Sequence, residues 1–104
     1  MKRPELVKRI QSNNAPVMVD ARSPIEFQRG HIPGAVNAPF WKILFNAAPL
    51  PEDRNREMVV ACMHGQRAWL ASKALALRGY RNTTLLDGHM QEWLKEGLPW
   101  EKGA

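Results

Sequence analysis

One cysteine, Cys62, stands between the apolar run Met58-Val59-Val60-Ala61 and a helical segment that starts near Gln66. The residues between them are Met63, His64 and Gly65, and Arg67 follows in the first helical turn. A strand, a thiol, a short loop and a helix in that order favour nucleophilic chemistry. The first N–H groups of a helix lack internal partners and carry partial positive charge. A loop that curls around Cys62 brings those donors onto its sulfur and stabilises the thiolate. Gly65 permits the tight, left-handed step that such a curl requires. Arg67 is a cation at the unfavourable end of a helix dipole, and a bound anion would account for it. The plainer reading is that a lone cysteine after a hydrophobic strand is inert core.

The remaining polar candidates read mostly as structure. Asp20 ends a strand, and Ser23-Pro24-Ile25-Glu26 is a capping box with proline at the first helical position. Arg22 precedes Glu26 by one helical turn and is expected to pair with it. Trp69, Trp93 and Trp100 are expected to pack on the sheet or line a rim. No two of His31, His64 and His89 have the local spacing of metal ligands.

The elements that must position the cysteine alternate in type. Leu6, Val7 and Ile10 mark an amphipathic helix that ends near Asn13-Asn14. Val17-Met18-Val19 is a buried strand, and the capped helix then runs to about Arg29, where Gly30 ends it. Pro33-Gly34 suits a type II turn, Ala35-Val36-Asn37 a short strand, and residues 40–48 a helix against the core. After the strand at 58–61, Gln66–Arg78 is a helix with Leu70, Ala74 and Leu77 on one face, and Gly79 caps it. Thr83–Leu86 is a last strand and Gly88–Glu96 a last helix, closed by Gly97 and Pro99. The order predicts an α/β fold with a mostly parallel sheet of four to five strands and helices on both faces.

The 104 residues allow one domain, 1–104. With 44% hydrophobic and 24% charged residues, the composition is that of a globular protein, not a disordered one. The formal net charge of +5 is spread along the chain: residues 1–52 hold 7 basic and 4 acidic side chains, and 53–104 hold 8 and 6. No basic stripe with interleaved aromatics results, so nucleic acid is not an expected partner. Neither is a membrane, since no apolar run approaches the roughly 20 residues of a span. The stretch after Met1 lacks the apolar core of a secretory signal. A single thiol cannot bridge internally, and a reducing, cytoplasmic location is expected.

Three segments together resemble the rhodanese family. Asp20-x-Arg22-x-Pro24-x-Glu26-Phe27-x-x-Gly30-His31-Ile32-Pro33-Gly34-Ala35-x-Asn37 is similar to its N-terminal signature, and Cys62-x-x-Gly65-x-Arg67 to its active-site loop. Gly79-Tyr80, Leu86-Asp87-Gly88, Trp93 and Gly97-Leu98-Pro99 match its C-terminal half. The resemblance spans roughly residues 4–102 and implies a rhodanese-like fold and a thiosulfate sulfurtransferase. It implies that Cys62 attacks a small anionic sulfur donor such as thiosulfate and carries the sulfur as a persulfide. Cyanide or a thiol, small or protein-borne, then removes it. The main-chain N–H groups of Met63, His64, Gly65, Gln66 and Arg67 would cradle the persulfide, and Arg67 would help hold the donor. No metal or organic cofactor is implied.

This chain departs from the family in having Gly88-His89 where Gly-Gly is usual. Either His64 or His89 could bind an anion when protonated or be a plain surface residue, and for His89 the exposed surface position is expected. His31 falls in the family's Gly-His-Ile-Pro-Gly turn, where it is expected to make a structural hydrogen bond. Two other readings compete. A rhodanese-like module could bind a partner without catalysis. A cysteine phosphatase or arsenate reductase shares the strand–Cys–loop–helix layout, but phosphatases of that kind need Cys-x5-Arg, and position 68 is Ala68.

Overall fold

The computed structural model describes residues 1–103. Its elements run α1 (Arg3–Gln11), β1 (Val17–Asp20), α2 (Pro24–Arg29), β2 (Val36–Asn37), α3 (Phe40–Leu44), β3 (Met58–Ala61), α4 (Gln66–Leu77), β4 (Thr83–Leu85) and α5 (His89–Lys95). The four strands form one all-parallel sheet in the order β2-β1-β3-β4. β1 and β3 lie side by side at the centre, with Asp20 opposite Ala61. The chain leaves β1 toward one edge and β3 toward the other, so the carboxyl ends of these two strands flank the crevice where such sheets bind ligands. Cys62 follows directly from one of them and Ala21-Arg22 from the other.

Helices cover both faces, which is why β3 is apolar at every position and wholly buried. On one face Ile43 of α3 and Ala68, Ala71, Ala74 and Leu75 of α4 pack against Val19, Met58 and Val60. On the other, Leu6 of α1 and Met90 and Trp93 of α5 pack against Met18, Val59 and Ala61. The stripe that α4 buries is small, which lets the helix lie close to the sheet. Leu70 and Leu77, expected on the buried face, are instead 42% and 79% exposed. The alanines set the phase because a close helix–sheet approach leaves no room for leucine along its centre. α3 is also shorter than the 40–48 segment expected, and it buries only Ile43, leaving Phe40, Trp41 and Leu44 partly exposed.

The capping box forms as read: Glu26 N–H donates to Ser23 Oγ, and Ser23 N–H to the Glu26 carboxylate. Gly30 ends α2 for a different reason from a left-handed cap. Its backbone is extended, and a Cβ there would lie 1.9 Å from the Trp100 ring, so only glycine lets that indole lie flat on the chain. An antiparallel bridge between His31 and Glu101 holds the C-terminal segment in place.

Arg22 does not pair with Glu26. It folds back on Asp20, Nε to Oδ1 at 3.0 Å and Nη2 to Oδ2 at 2.7 Å, and gives a further bond to Gly30 O at 2.6 Å. Both side chains are almost fully buried, so the pair joins the end of β1 to the end of α2. Removing one partner strands the other's charge away from water. Asp20→Asn should lower stability by about 3–5 kcal/mol in urea denaturation; a loss below about 1 kcal/mol would show that the pair is not a structural tie.

Candidate functional site

Two helices and one strand end build the loop around Cys62. α5 clamps its start: Met90 N–H donates to Cys62 O at 2.9 Å and Gln91 N–H to Met63 O at 3.2 Å. These bonds occupy two of the orphan donors at the α5 N-terminus, which has no side-chain cap. The loop then turns through Gly65 at φ +118°, ψ −26°, and Gly65 O accepts the Trp69 N–H that opens α4. In this conformation Gly65 N–H points back at Cys62 Sγ, 2.9 Å away. Among the described residues, the N–H groups of Met63, His64, Gln66 and Arg67 have no acceptor in the chain. The site therefore has one amide on the sulfur and four more unpaired nearby, a set suited to an anion.

Cys62 itself is 1% exposed and counts among the core residues beneath α4. Met63 and Arg67 are half-buried, and His64 and Gln66 face solvent. The exposure of His64 fits its reading as a surface residue, while His89, for which exposure was expected, departs from it. His89 lies half-buried, with Nδ1 accepting the Cys62 N–H at 3.3 Å and Nε2 3.1 Å from where a Cβ on Gly65 would be. It holds a left-handed φ of +50°, which histidine tolerates better than most side chains. Accepting at Nδ1 places the neutral ring's proton on Nε2. Burial pushes the His89 pKa below the ordinary 6.5; Asp87 opposes this and His64 adds to it.

Arg67 meets an anion, but one from its own chain. Both of its Nη groups bind the Glu26 carboxylate, Nη2 at 3.0 Å to Oε2. The same carboxylate serves the capping box, so Glu26 ties α2 to the first turn of α4. Arg67 with lesser help from Ser23 holds the Glu26 pKa down at about 2, against an opposing contribution from burial. Glu26 and His89 are the two site neighbours that sequence reasoning misassigned. Reading Glu26 toward Arg67 needs the distance between α2 and α4, which no local pattern carries. The signal for His89 was present in the substitution of a ring for an expected glycine.

His31 takes its expected structural role. Its ring stacks on Phe27 with centroids 3.7 Å apart, and Nδ1 lies 2.7 Å from Phe27 O. Trp93 is core, whereas Trp69 and Trp100 are half-exposed. Among the described residues no cluster of three or more His, Cys, Asp or Glu side chains could hold a metal ion, and no helix is long and apolar enough to cross a membrane.

A rhodanese-like domain family model matches residues 3–96. The chain belongs to that family. It is 33% identical to the thiosulfate:glutathione sulfurtransferase of Saccharomyces cerevisiae, over 89% of this chain and 76% of the yeast protein. It is 32% identical to a sulfurtransferase of Allochromatium vinosum, over 90% and 86% of the two chains. The human single-domain sulfurtransferase TSTD1 superposes with a TM-score of 0.76 at 25% identity, covering 92% of this chain and 95% of the human one. The rhodanese-like fold, four parallel strands with helices on both faces, is as expected.

The His89 bond has a consequence for pH. Protonation turns Nδ1 into a donor facing the Cys62 N–H. The unfolded chain takes up the proton first, so this contribution to stability is complete above about pH 6.5 and is lost as the pH falls through the lowered folded value. His89→Asn, whose Oδ1 can accept without titrating, should remove that decline in denaturation curves between about pH 7.5 and 5. An unchanged pH profile in the variant would contradict this role for His89. The Glu26 contribution is lost in a separate window, from 4.5 down to about 2.

Proposed function

We propose that this rhodanese-family protein is a thiosulfate sulfurtransferase that works through a persulfide on Cys62. The observation that carries the reading is the Gly65 N–H on Cys62 Sγ at 2.9 Å, with four further unpaired loop amides beside it. A cradle of fixed donors stabilises negative charge on sulfur without reorganising during the reaction. In the first half-reaction the Cys62 thiolate attacks the outer sulfur of thiosulfate. A new S–S bond forms, the old one breaks, and sulfite leaves with its electron pair. In the second, an acceptor thiolate or cyanide attacks the outer sulfur and Cys62 departs as thiolate. Oxidation state balances across the pair of steps, so no redox partner, metal or organic cofactor is needed.

On this reading residues 63–67 bind the persulfide through their main chain. The paired Arg67 holds the loop against α2 and offers its remaining N–H groups to the donor. The name of the Allochromatium relative supports sulfur transfer in general, that of the yeast relative supports a thiol acceptor, and a reducing compartment such as the cytoplasm suits a thiol that must stay free. The phosphatase reading has no support: Ala68 is buried, and the one arginine of the loop is joined to Glu26. The burial of Cys62 favours a second reading, a rhodanese-like module that binds a partner without catalysis.

Steady-state transfer from thiosulfate to cyanide or a thiol separates these readings. The expected result is ping-pong kinetics, with Cys62→Ser reducing transfer by about a thousandfold or more. Transfer that survives in the serine variant would overturn the proposal. A wild-type protein as inactive as the variant would also overturn it and leave the non-catalytic module as the better reading.

A further inference from the structure

Beside the loop lies a cleft of about 400 Å³. Its apolar walls are Met63, which follows Cys62 in the chain, Leu94 of α5 and Trp100; its polar rim is Arg22, Glu26 and Arg29. The volume falls at the small end of the range for ligand sites and suits a molecule of amino-acid to short-peptide size. The Trp100 wall is held in place, since the indole rests on the Gly30 backbone and the next residue bridges to His31.

The rim charges are unequal in their freedom. Arg22 is matched by Asp20, and Glu26 by Arg67. Arg29 is exposed and, among the described residues, has neither an ion pair nor a hydrogen-bonded partner for its guanidinium. Of the lining residues, Arg29 alone carries an uncompensated positive charge, next to apolar walls one of which, Met63, adjoins Cys62 in the chain; Lys102 adds a second cation outside the lining, 5.8 Å from the centre of the Trp100 ring. A ligand complementary to the cleft has a carboxylate for Arg29 and methylene groups for Met63, Leu94 and Trp100.

We infer that this cleft is the acceptor subsite and that it selects small thiols carrying a carboxylate. This rests on the sulfurtransferase reading above. Cys62 does not line the cleft, but a persulfide places its outer sulfur about 2 Å beyond Sγ. An acceptor lying along the cleft with its carboxylate on Arg29 has its other end beside Met63, the chain neighbour of Cys62, and from there its thiolate would meet that sulfur. The acceptor thiolate forms the new S–S bond, the Cys62–S bond breaks, and the Cys62 thiolate is regenerated. Neutral thiols forgo the Arg29 contact, and cationic thiols are repelled by it.

The test measures kcat/KM for three thiols of similar size, 3-mercaptopropionate, 2-mercaptoethanol and cysteamine, at matched thiolate concentration with thiosulfate as donor. Wild type should prefer the carboxylate thiol to the neutral one by about fivefold, the scale of one exposed ion pair, and the cationic thiol least. Arg29→Gln should flatten the order and Arg29→Lys should largely restore it. The ratio between acceptors cancels any change in persulfide formation, which is common to all three. Trp100→Ala should raise KM for the carboxylate thiol. An order that is absent from wild type, or that persists unchanged in Arg29→Gln, overturns the subsite. Absence of sulfite release from thiosulfate in wild type overturns instead the sulfurtransferase reading beneath it.

Discussion

The hydrogen bond from Gly65 N–H to Cys62 Sγ is the contact around which the rest of the molecule is arranged. It requires a left-handed residue three positions after the cysteine, and Gly65 supplies that conformation. It requires that the loop start be fixed, which the α5 amides achieve by holding the carbonyls of Cys62 and Met63. It also requires that the loop end be fixed, which follows from α4 lying close on the sheet along its alanine stripe. Thus a bond of 2.9 Å depends on packing that reaches from one face of the sheet to the other. The parallel topology makes this arrangement possible, since it brings the ends of β1 and β3 to one crevice.

Charge around the crevice is largely neutralised within the chain. Asp20 and Arg22 close the end of β1, and Glu26 and Arg67 connect α2 with α4. A permanent cation in the first turn of a helix is unfavourable by its dipole, and the Glu26 carboxylate compensates for it. What remains to attract an external anion near the sulfur is chiefly the set of unpaired main-chain N–H groups, with the Arg67 N–H groups that Glu26 leaves free. This matters chemically, because amides offer fixed partial charge without competing as a counter-ion that must be displaced. Arg29, which has no partner among the described residues, lines the cleft and not the loop.

Much of this was legible in the amino-acid sequence, and the rest was hidden for identifiable reasons. The buried run at 58–61, the Ser23–Glu26 capping box and the Cys62–Arg67 loop are local patterns whose physics acts within a few residues, and each forms where it was read. The face of α4 was misjudged because leucine at 70 and 77 outweighed alanine on a hydrophobicity scale, whereas closeness to the sheet favours the smaller side chain. Arg22 and Arg67 exchanged their expected partners for the same kind of reason: chain spacing suggested Glu26 for Arg22, but the three-dimensional neighbours are Asp20 and Glu26 respectively. His89 was read as surface although a ring in place of the family's usual glycine was a signal, because only the fold brings it onto the Cys62 N–H. Gly30 was read as a helix stop, and its reason is Trp100, 70 positions away.

Whether the amides around Cys62 serve a reactive sulfur or only a packed one is decided by what the cysteine retains. Intact-mass spectrometry of the whole chain after incubation with thiosulfate measures this without an acceptor assay. The account predicts a gain of one sulfur atom per chain, removed on adding a thiol and missing when Cys62 is replaced. A mass that stays unchanged under those conditions would contradict it and leave the loop as a purely structural turn.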